Sequence, residues 1–156
     1  MTDKIAGLGH GAPVPSRDHS AEAEALFRRF ADRHGLIFEA ESDVPMEVCW
    51  TFPEQPSLSM PLTLGLQNGD ELNFGVSDFW SCFFPFEDAA ERFERLLDAW
   101  VAGNARVALT GRRTRLLQMR EGERWVTVGA NGCLFPFRRK PYAFVVNEPG
   151  RPHTGG

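Results

Sequence analysis

The chain has 156 residues, of which 42% are hydrophobic and 24% are charged, and its formal net charge is −4 at neutral pH. This length and composition are typical of one soluble domain that buries its core without disulfides or a structural metal. No apolar run is long enough to cross a membrane, and the N-terminus lacks the basic start and apolar run of a secretion signal.

The three cysteines, Cys49, Cys82 and Cys133, lie far apart and form no CxxC motif. An odd number at such spacing argues against a disulfide framework and against a cysteine-rich zinc site. The cysteine pattern therefore predicts a reducing compartment, and we expect a cytoplasmic protein.

Residues 1–19 are rich in glycine and proline and carry few large apolar side chains, which predicts a flexible leader. Their GLGHG segment has no strand before it, so it predicts no dinucleotide site. His10, Asp18 and His19 have the chemistry of metal ligands, but a flexible leader would not hold their geometry. We expect neither a cofactor nor a metal, and we expect a second flexible tail at residues 149–156.

The first half of the chain begins with a helix over residues 21–34, capped by Ser20. Alternating apolar residues then predict strands over residues 44–52, 58–67 and 71–79. The last two strands form a hairpin whose register follows from its apolar pattern. A three-residue loop at 68–70 keeps all apolar residues on one face, whereas a two-residue loop would mix the faces.

Residues 86–103 carry the strongest helical pattern in the chain, with apolar side chains spaced i, i+3, i+4 and i+7. Asp88 is the predicted cap at its start, and Gly103 is the residue type that ends helices. Burial of each large apolar side chain of this stripe contributes roughly 1.5 to 3 kcal/mol before entropy is counted. The helix is therefore predicted to pack on a sheet.

Strands are predicted again over residues 105–110, 114–120 and 124–129, the last two as a hairpin. Runs of hairpin-linked strands separated by single helices indicate an antiparallel sheet. The predicted fold is an α+β two-layer sandwich, with an antiparallel sheet of about 5–7 strands and two helices packed on one face. A single domain is expected over residues 20–148.

One apolar pentapeptide occurs twice, as Cys-Phe-Phe-Pro-Phe at residues 82–86 and as Cys-Leu-Phe-Pro-Phe at residues 133–137. Acidic residues follow the first copy and basic residues follow the second. Both copies would serve as apolar connectors in the core. Alternatively, Phe135 and Phe137 of the second copy, together with Tyr142, would form a dimer or partner surface.

The strands carry two further candidate sites. The outer face of the predicted hairpin would hold only small side chains, among them Thr63 and Ser77, which suits solvent exposure or the close approach of another molecule. Asp78 and Cys82, with Glu47, are the best candidates for a ligand pocket or for enzyme chemistry. Isolated carboxylates are ordinary on an antiparallel sheet, and the predicted domain has a single histidine, at a helix end. We therefore assign no catalytic residue and favour a protein that is not an enzyme.

Charge is divided unevenly along the chain, with 7 Lys and Arg against 18 Asp and Glu in residues 1–104, and 10 against 3 in residues 105–156. Basic strands beside acidic helices would largely cancel this difference, or a basic face would bind an anionic partner. Arg113, Arg115 and Arg124 are the candidate anion-binding residues. A nucleic-acid partner is disfavoured by the acidic total and by an isoelectric point near 5.6.

These patterns favour a non-catalytic protein-binding or interaction domain whose partner is an unknown protein or a second copy of the chain. The order of helix, strands, helix and strands is similar to that of secretion-type chaperones, which implies a chaperone-like binding role. Pro136, Pro141 and Pro149 depart from that pattern because they argue against a terminal helix. The alternatives are a small-molecule-binding protein or enzyme with a pocket near Asp78 and Cys82, and a nucleic-acid contact through the arginine-rich C-terminal strands.

Overall fold

The computed structural model describes residues 18–132 and 140–150. These residues form two helices and two antiparallel sheets, which confirms the predicted α+β sandwich. The helices are α1 (Ser20–His34) and α2 (Phe86–Ala102). The strands are β1 (Glu39–Ala40), β2 (Val48–Phe52), β3 (Leu62–Gln67), β4 (Glu71–Val76), β5 (Phe79–Phe83), β6 (Ala105–Leu109), β7 (Arg115–Glu121), β8 (Arg124–Asn131) and β9 (Ala143–Val146).

The number of sheets differs from the prediction. One five-stranded sheet has the order β1-β2-β3-β4-β5, and a four-stranded sheet has the order β8-β7-β6-β9. Helix α1 contacts β2 and β3, whereas α2 contacts β4 and β5 of the first sheet and β6 and β7 of the second. The wide apolar stripe of α2 therefore covers both sheets, and its Trp100 is fully buried beside Phe74. None of the described helices is long and apolar enough to cross a membrane.

The register predicted for the β3–β4 hairpin is confirmed. Leu66 lies opposite Leu72, and residues 68–70 form the loop between the strands. Strand β3 begins at Leu62 instead of residue 58. Pro61 precedes it and has no N–H to donate, so the ladder starts only after the proline.

The predicted caps of the helices need correction. Asp88 does not cap α2, because the helix begins directly after Pro85, three residues earlier. The Phe84–Pro85 peptide bond is cis. Instead, Oδ1 of Asp70 accepts a hydrogen bond from the backbone N–H of Phe86 over 3.0 Å. The cap of α2 is thus supplied by the β3–β4 loop, 16 residues away in the chain.

The start of α1 is also tied to the rest of the fold. Ser20 does not cap α1, because it is the first helical residue and His19 stands at the N-cap position. Oδ1 of Asp18 accepts hydrogen bonds from the backbone N–H and the hydroxyl of Ser20. His19 is buried, and its ring stacks on that of Phe86 with centroids 4.5 Å apart. His19 therefore packs in the domain, although the sequence placed it in a solvated leader; residues 1–17 of that leader lie outside the described residues.

The two sheets meet where β5 lies beside β8. The side-chain N–H of Asn131, at the end of β8, donates to the carbonyl oxygen of Trp80 in β5 over 3.2 Å. An ion pair between Asp78 and Arg115 crosses the same junction. The turn between β4 and β5 is thereby held against the loop between β6 and β7.

Candidate binding site at the sheet junction

A cavity of about 340 Å³ opens where the β4–β5 turn meets the β6–β7 loop and the end of β8. It is lined by Asp78, Arg112, Arg113, Arg115, Asn131 and Gly132, and it is termed the arginine pocket below. Three arginines and one aspartate contribute to this lining. The arginine pocket is therefore positively charged overall and attracts anions.

Arg115 is held in place by hydrogen bonds on several sides. Its Nε and Nη2 groups donate to the two carboxylate oxygens of Asp78 over 3.3 and 3.1 Å. Its Nη1 group donates to the carbonyl oxygens of Gly111 and Thr114. Donating to the Asp78 carboxylate raises the pKa of Arg115 above its ordinary value. Arg115 thus fixes the shape of the loop and the turn, and its charge is already paired.

Arg112 and Arg113 supply the unpaired positive charge of the arginine pocket. Both side chains are exposed, and within the described parts of the chain neither forms an ion pair. Tyr142 lies at the edge of the same loop, because its hydroxyl donates to the carbonyl oxygen of Gly111 over 3.4 Å. Guanidinium groups without carboxylate partners are suited to a carboxylate or a phosphate, each of which accepts several N–H bonds.

A second cavity, of about 540 Å³, lies on the outer face of the five-stranded sheet. Met60, Thr63, Ser77 and Trp80 are among the residues that line it, and it is termed the Trp80 groove below. The indole of Trp80 lies over Gly75, where an added Cβ would come within 2.3 Å of the ring. The Trp80 side chain remains 38% exposed, so it presents an aromatic surface to a ligand.

The two cavities share the β4–β5 turn. Ser77 lines the Trp80 groove and its neighbour Asp78 lines the arginine pocket. Asn131, which lines the arginine pocket, also holds the backbone of Trp80. An apolar aromatic surface therefore lies beside a positively charged one, and this pairing can hold a ligand that has both an apolar group and an anionic group.

Comparisons with protein-family models, with curated proteins and with solved structures found no match to this chain. Among the residues that the structure describes, no three side chains of His, Cys, Asp or Glu gather into a set of metal ligands.

Several residues chosen from the sequence come together here. Asp78, Arg113 and Arg115 line the arginine pocket, and Thr63 and Ser77 line the Trp80 groove. From the sequence, these five residues were assigned to three separate candidate sites. The junction of the sheets brings them to the two sides of the β4–β5 turn.

Glu47 and Cys82 line neither of these two cavities. Oε1 of Glu47 accepts a hydrogen bond from the backbone N–H of Gly69 over 2.9 Å, so it holds the β3–β4 loop. Cys82 lies four residues beyond Asp78, about 13 Å along an extended chain. Cys82 is exposed as a residue, but partial burial of its thiol raises the thiol pKa, and the side-chain N–H of Asn73 donates to its sulfur over 3.2 Å. A thiol with a raised pKa is a poor nucleophile.

The other candidate residues lie elsewhere. Arg124 is at the start of β8, seven residues or about 23 Å along the strand from Asn131. Phe135 and Phe137 lie outside the described residues. Sequence reasoning missed Trp80 because it ended the preceding strand at residue 79, whereas β5 begins there and pairs Trp80 with Gly75.

Proposed function

We propose that this chain is a non-catalytic binding protein that takes an extended acidic segment of a partner protein at the sheet junction. The observation that carries the proposal is the unpaired state of Arg112 and Arg113 beside the exposed ring of Trp80. A carboxylate of the segment binds in the arginine pocket, and a neighbouring apolar side chain packs in the Trp80 groove. Guanidinium–carboxylate pairs and aromatic anchors supply much of the affinity of such surfaces.

The shape of the site favours a peptide over a small molecule. Sites for small molecules usually enclose most of the ligand surface. Here the arginine pocket and the Trp80 groove are both open to solvent, and they lie on the two sides of one turn. An extended segment can cross that turn and use both cavities, because side chains along it alternate in direction.

The test uses a fluorescein-labelled peptide of alternating Glu and Leu, with a Lys–Leu peptide of the same length as the control. Fluorescence anisotropy should report binding of the acidic peptide and none of the basic one. Arg113→Gln and Trp80→Ala should each weaken binding by about tenfold, which corresponds to about 1.4 kcal/mol. Arg124→Gln is the matched control, since Arg124 is an exposed arginine of β8 outside both cavities, and it should leave the affinity unchanged.

Equal affinity for the two peptides would contradict the proposal, as would unchanged affinity in both site variants. Free glutamate and inorganic phosphate serve as competitors. Displacement of the peptide by either one at the peptide's own concentration would instead assign the arginine pocket to a small anion.

A further inference from the structure

A second group of aromatic and basic side chains lies on the four-stranded sheet, away from the arginine pocket. Cζ of Arg106 lies 4.0 Å from the ring centroid of Trp125 and 4.0 Å from that of Phe144. Its Nε group donates to Oε1 of Gln118 over 2.8 Å. The guanidinium of Arg120 lies 6.0 Å from the same Trp125 ring. These residues, Arg106, Gln118, Arg120, Trp125 and Phe144, are termed the stacked face.

The stacked face points away from the helices. Successive side chains of a strand alternate in direction, and Val107 and Leu117 are buried in the core. Their neighbours Arg106 and Gln118 therefore lie on the opposite face of the sheet. Phe144 is 46% exposed on that face.

The Arg106 guanidinium is fixed in orientation but unpaired in charge. Two rings lie against it, and Gln118 accepts a hydrogen bond from its Nε group. Within the described residues, its Nη1 and Nη2 groups form no hydrogen bond and no carboxylate pairs with it. Burial lowers the pKa of Arg106, which records the cost of keeping this charge without an anion. Its remaining N–H groups are thus positioned to bind a phosphate or a carboxylate.

We propose that the stacked face binds single-stranded nucleic acid without sequence preference. Bases stack on the open sides of Phe144 and Trp125, and the phosphates between them bind Arg106 and Arg120. Rings interleaved with arginines on a sheet are what such binding needs, since every base has a face that can stack on a ring. An acidic peptide could pair with the arginines, but a base also offers a flat face to the exposed ring of Phe144, which an aliphatic side chain lacks. This site shares no residue with the arginine pocket or the Trp80 groove.

The test is fluorescence anisotropy with a labelled oligothymidylate of about 12 nucleotides, within the usual site size of such surfaces. Binding should weaken as salt is added, with a log–log slope of about −1.4 for two phosphate contacts. Phe144→Ala should weaken binding by about tenfold, and Phe144→Leu, which keeps apolar packing but removes the ring, should weaken it almost as much. Arg106→Gln should reduce the slope by about 0.7.

Two matched controls separate this site from the rest of the molecule. Arg95→Gln removes an exposed arginine of α2 and should leave oligonucleotide binding unchanged. Arg113→Gln should weaken binding of the Glu–Leu peptide but not binding of the oligonucleotide. Each proposal can therefore be contradicted without affecting the other.

Three outcomes would overturn the inference. The first is no binding of oligothymidylate at low salt. The second is equal binding of polyglutamate of the same charge, which would assign the stacked face to acidic proteins. The third is unchanged affinity in both Phe144 variants while their thermal melting matches that of the unmodified protein.

Discussion

At the scale of single residues, Asn147 joins three separate parts of the fold. Its Oδ1 accepts hydrogen bonds from the backbone N–H and the hydroxyl of Ser59 over 2.8 and 3.2 Å. Its Nδ2 donates to the carbonyl oxygens of Ser57 and Val101 over 2.9 and 3.1 Å. The side chain is buried, so its amide binds the β2–β3 loop and the last turn of α2 at a place with little access to water.

Asn147→Ala should therefore be strongly destabilising. It leaves the N–H of Ser59 and two carbonyl groups without partners, and the expected loss is about 3 kcal/mol of unfolding free energy. Urea denaturation measures this loss. Asn104→Ala is the matched control because the Asn104 side chain is exposed, and similar losses in the two variants would contradict the role given to Asn147.

Glu94 makes stability depend on pH. Its carboxylate accepts hydrogen bonds from Arg29 over 3.0 and 3.2 Å and from Arg33 over 2.7 Å. The hydrogen bonds from Arg29 lower the pKa of Glu94 below its ordinary value of 4.5. A carboxyl whose pKa is lowered by folding stabilises the protein above its unfolded pKa, and this stabilisation is lost as pH falls through the folded pKa.

Glu94→Gln should remove this part of the pH dependence. Between about pH 7 and pH 3, the unfolding free energy of the unmodified protein should fall by about 1 kcal/mol more than that of the variant. The difference is small because the two arginines are partly exposed to solvent. Denaturant midpoints across that range measure the difference. Glu91→Gln is the control, because this side chain on the same helix is 92% exposed, and its stability should depend on pH as that of the unmodified protein does. If stability falls equally with pH in all three proteins, Glu94 does not contribute to the pH dependence.

At the scale of elements, the β3–β4 hairpin was predictable and β5 was not. The apolar residues of β3 and β4 alternate without interruption, and a loop one residue shorter or longer would have turned one set toward solvent. The turn from β4 to β5 carries no Asn-Gly or Asp-Gly signal; it uses Ser77 with a positive φ of 55°. Without that turn, the position of Trp80 over Gly75 could not be deduced.

Gly75→Ala tests how closely Trp80 packs on β4. The added Cβ would overlap the indole ring, so Trp80 should move out of its place and the Glu–Leu peptide should bind about tenfold more weakly. Fluorescence anisotropy of the labelled peptide measures the loss. In the double variant with Trp80→Ala the glycine change should add nothing further, and additive losses would contradict this explanation.

The sequence predicted separate parts of the candidate site but not their contact. Arg113 and Arg115 were selected by charge and Asp78 by its place near a strand end, but nothing in the sequence relates Asp78 to a residue 37 positions later. Their contact depends on the junction of two sheets, whereas the apolar pattern predicted only one. Periodicity assigns a residue to a face of its own strand and contains no information on which strand edges meet.

At the scale of the whole molecule, the junction depends on a close approach between β5 and β8. A Cβ placed on Gly129 would lie 2.8 Å from Oγ of Ser81 and 3.4 Å from the ring of Phe83. The ion pair between Asp78 and Arg115 forms across the same gap. A small residue at position 129 therefore keeps the two sheets, and both halves of the candidate site, together.

Gly129→Val should separate the sheets without unfolding either one. The expected cost is about 2 kcal/mol, typical of an added side chain in a packed contact. Hydrogen exchange should show faster exchange at the β5 and β8 edges, together with weaker binding of the Glu–Leu peptide. Thr127→Val, at an exposed position of the same strand, is the control, and equal exchange in both variants would exclude a role for the close approach.

The hydrogen bonds of Asn147 also constrain the order of events during synthesis. Asn147 follows Ser59 by 88 residues, so the ribosome produces the β2–β3 loop long before the side chain that holds it exists. Closing a loop of that length is entropically costly, and contacts of such separation form late. Until β9 has been made and has paired with β6, water must satisfy the polar groups of this loop. The last described strand to leave the ribosome therefore completes a part of the fold that was translated among the first.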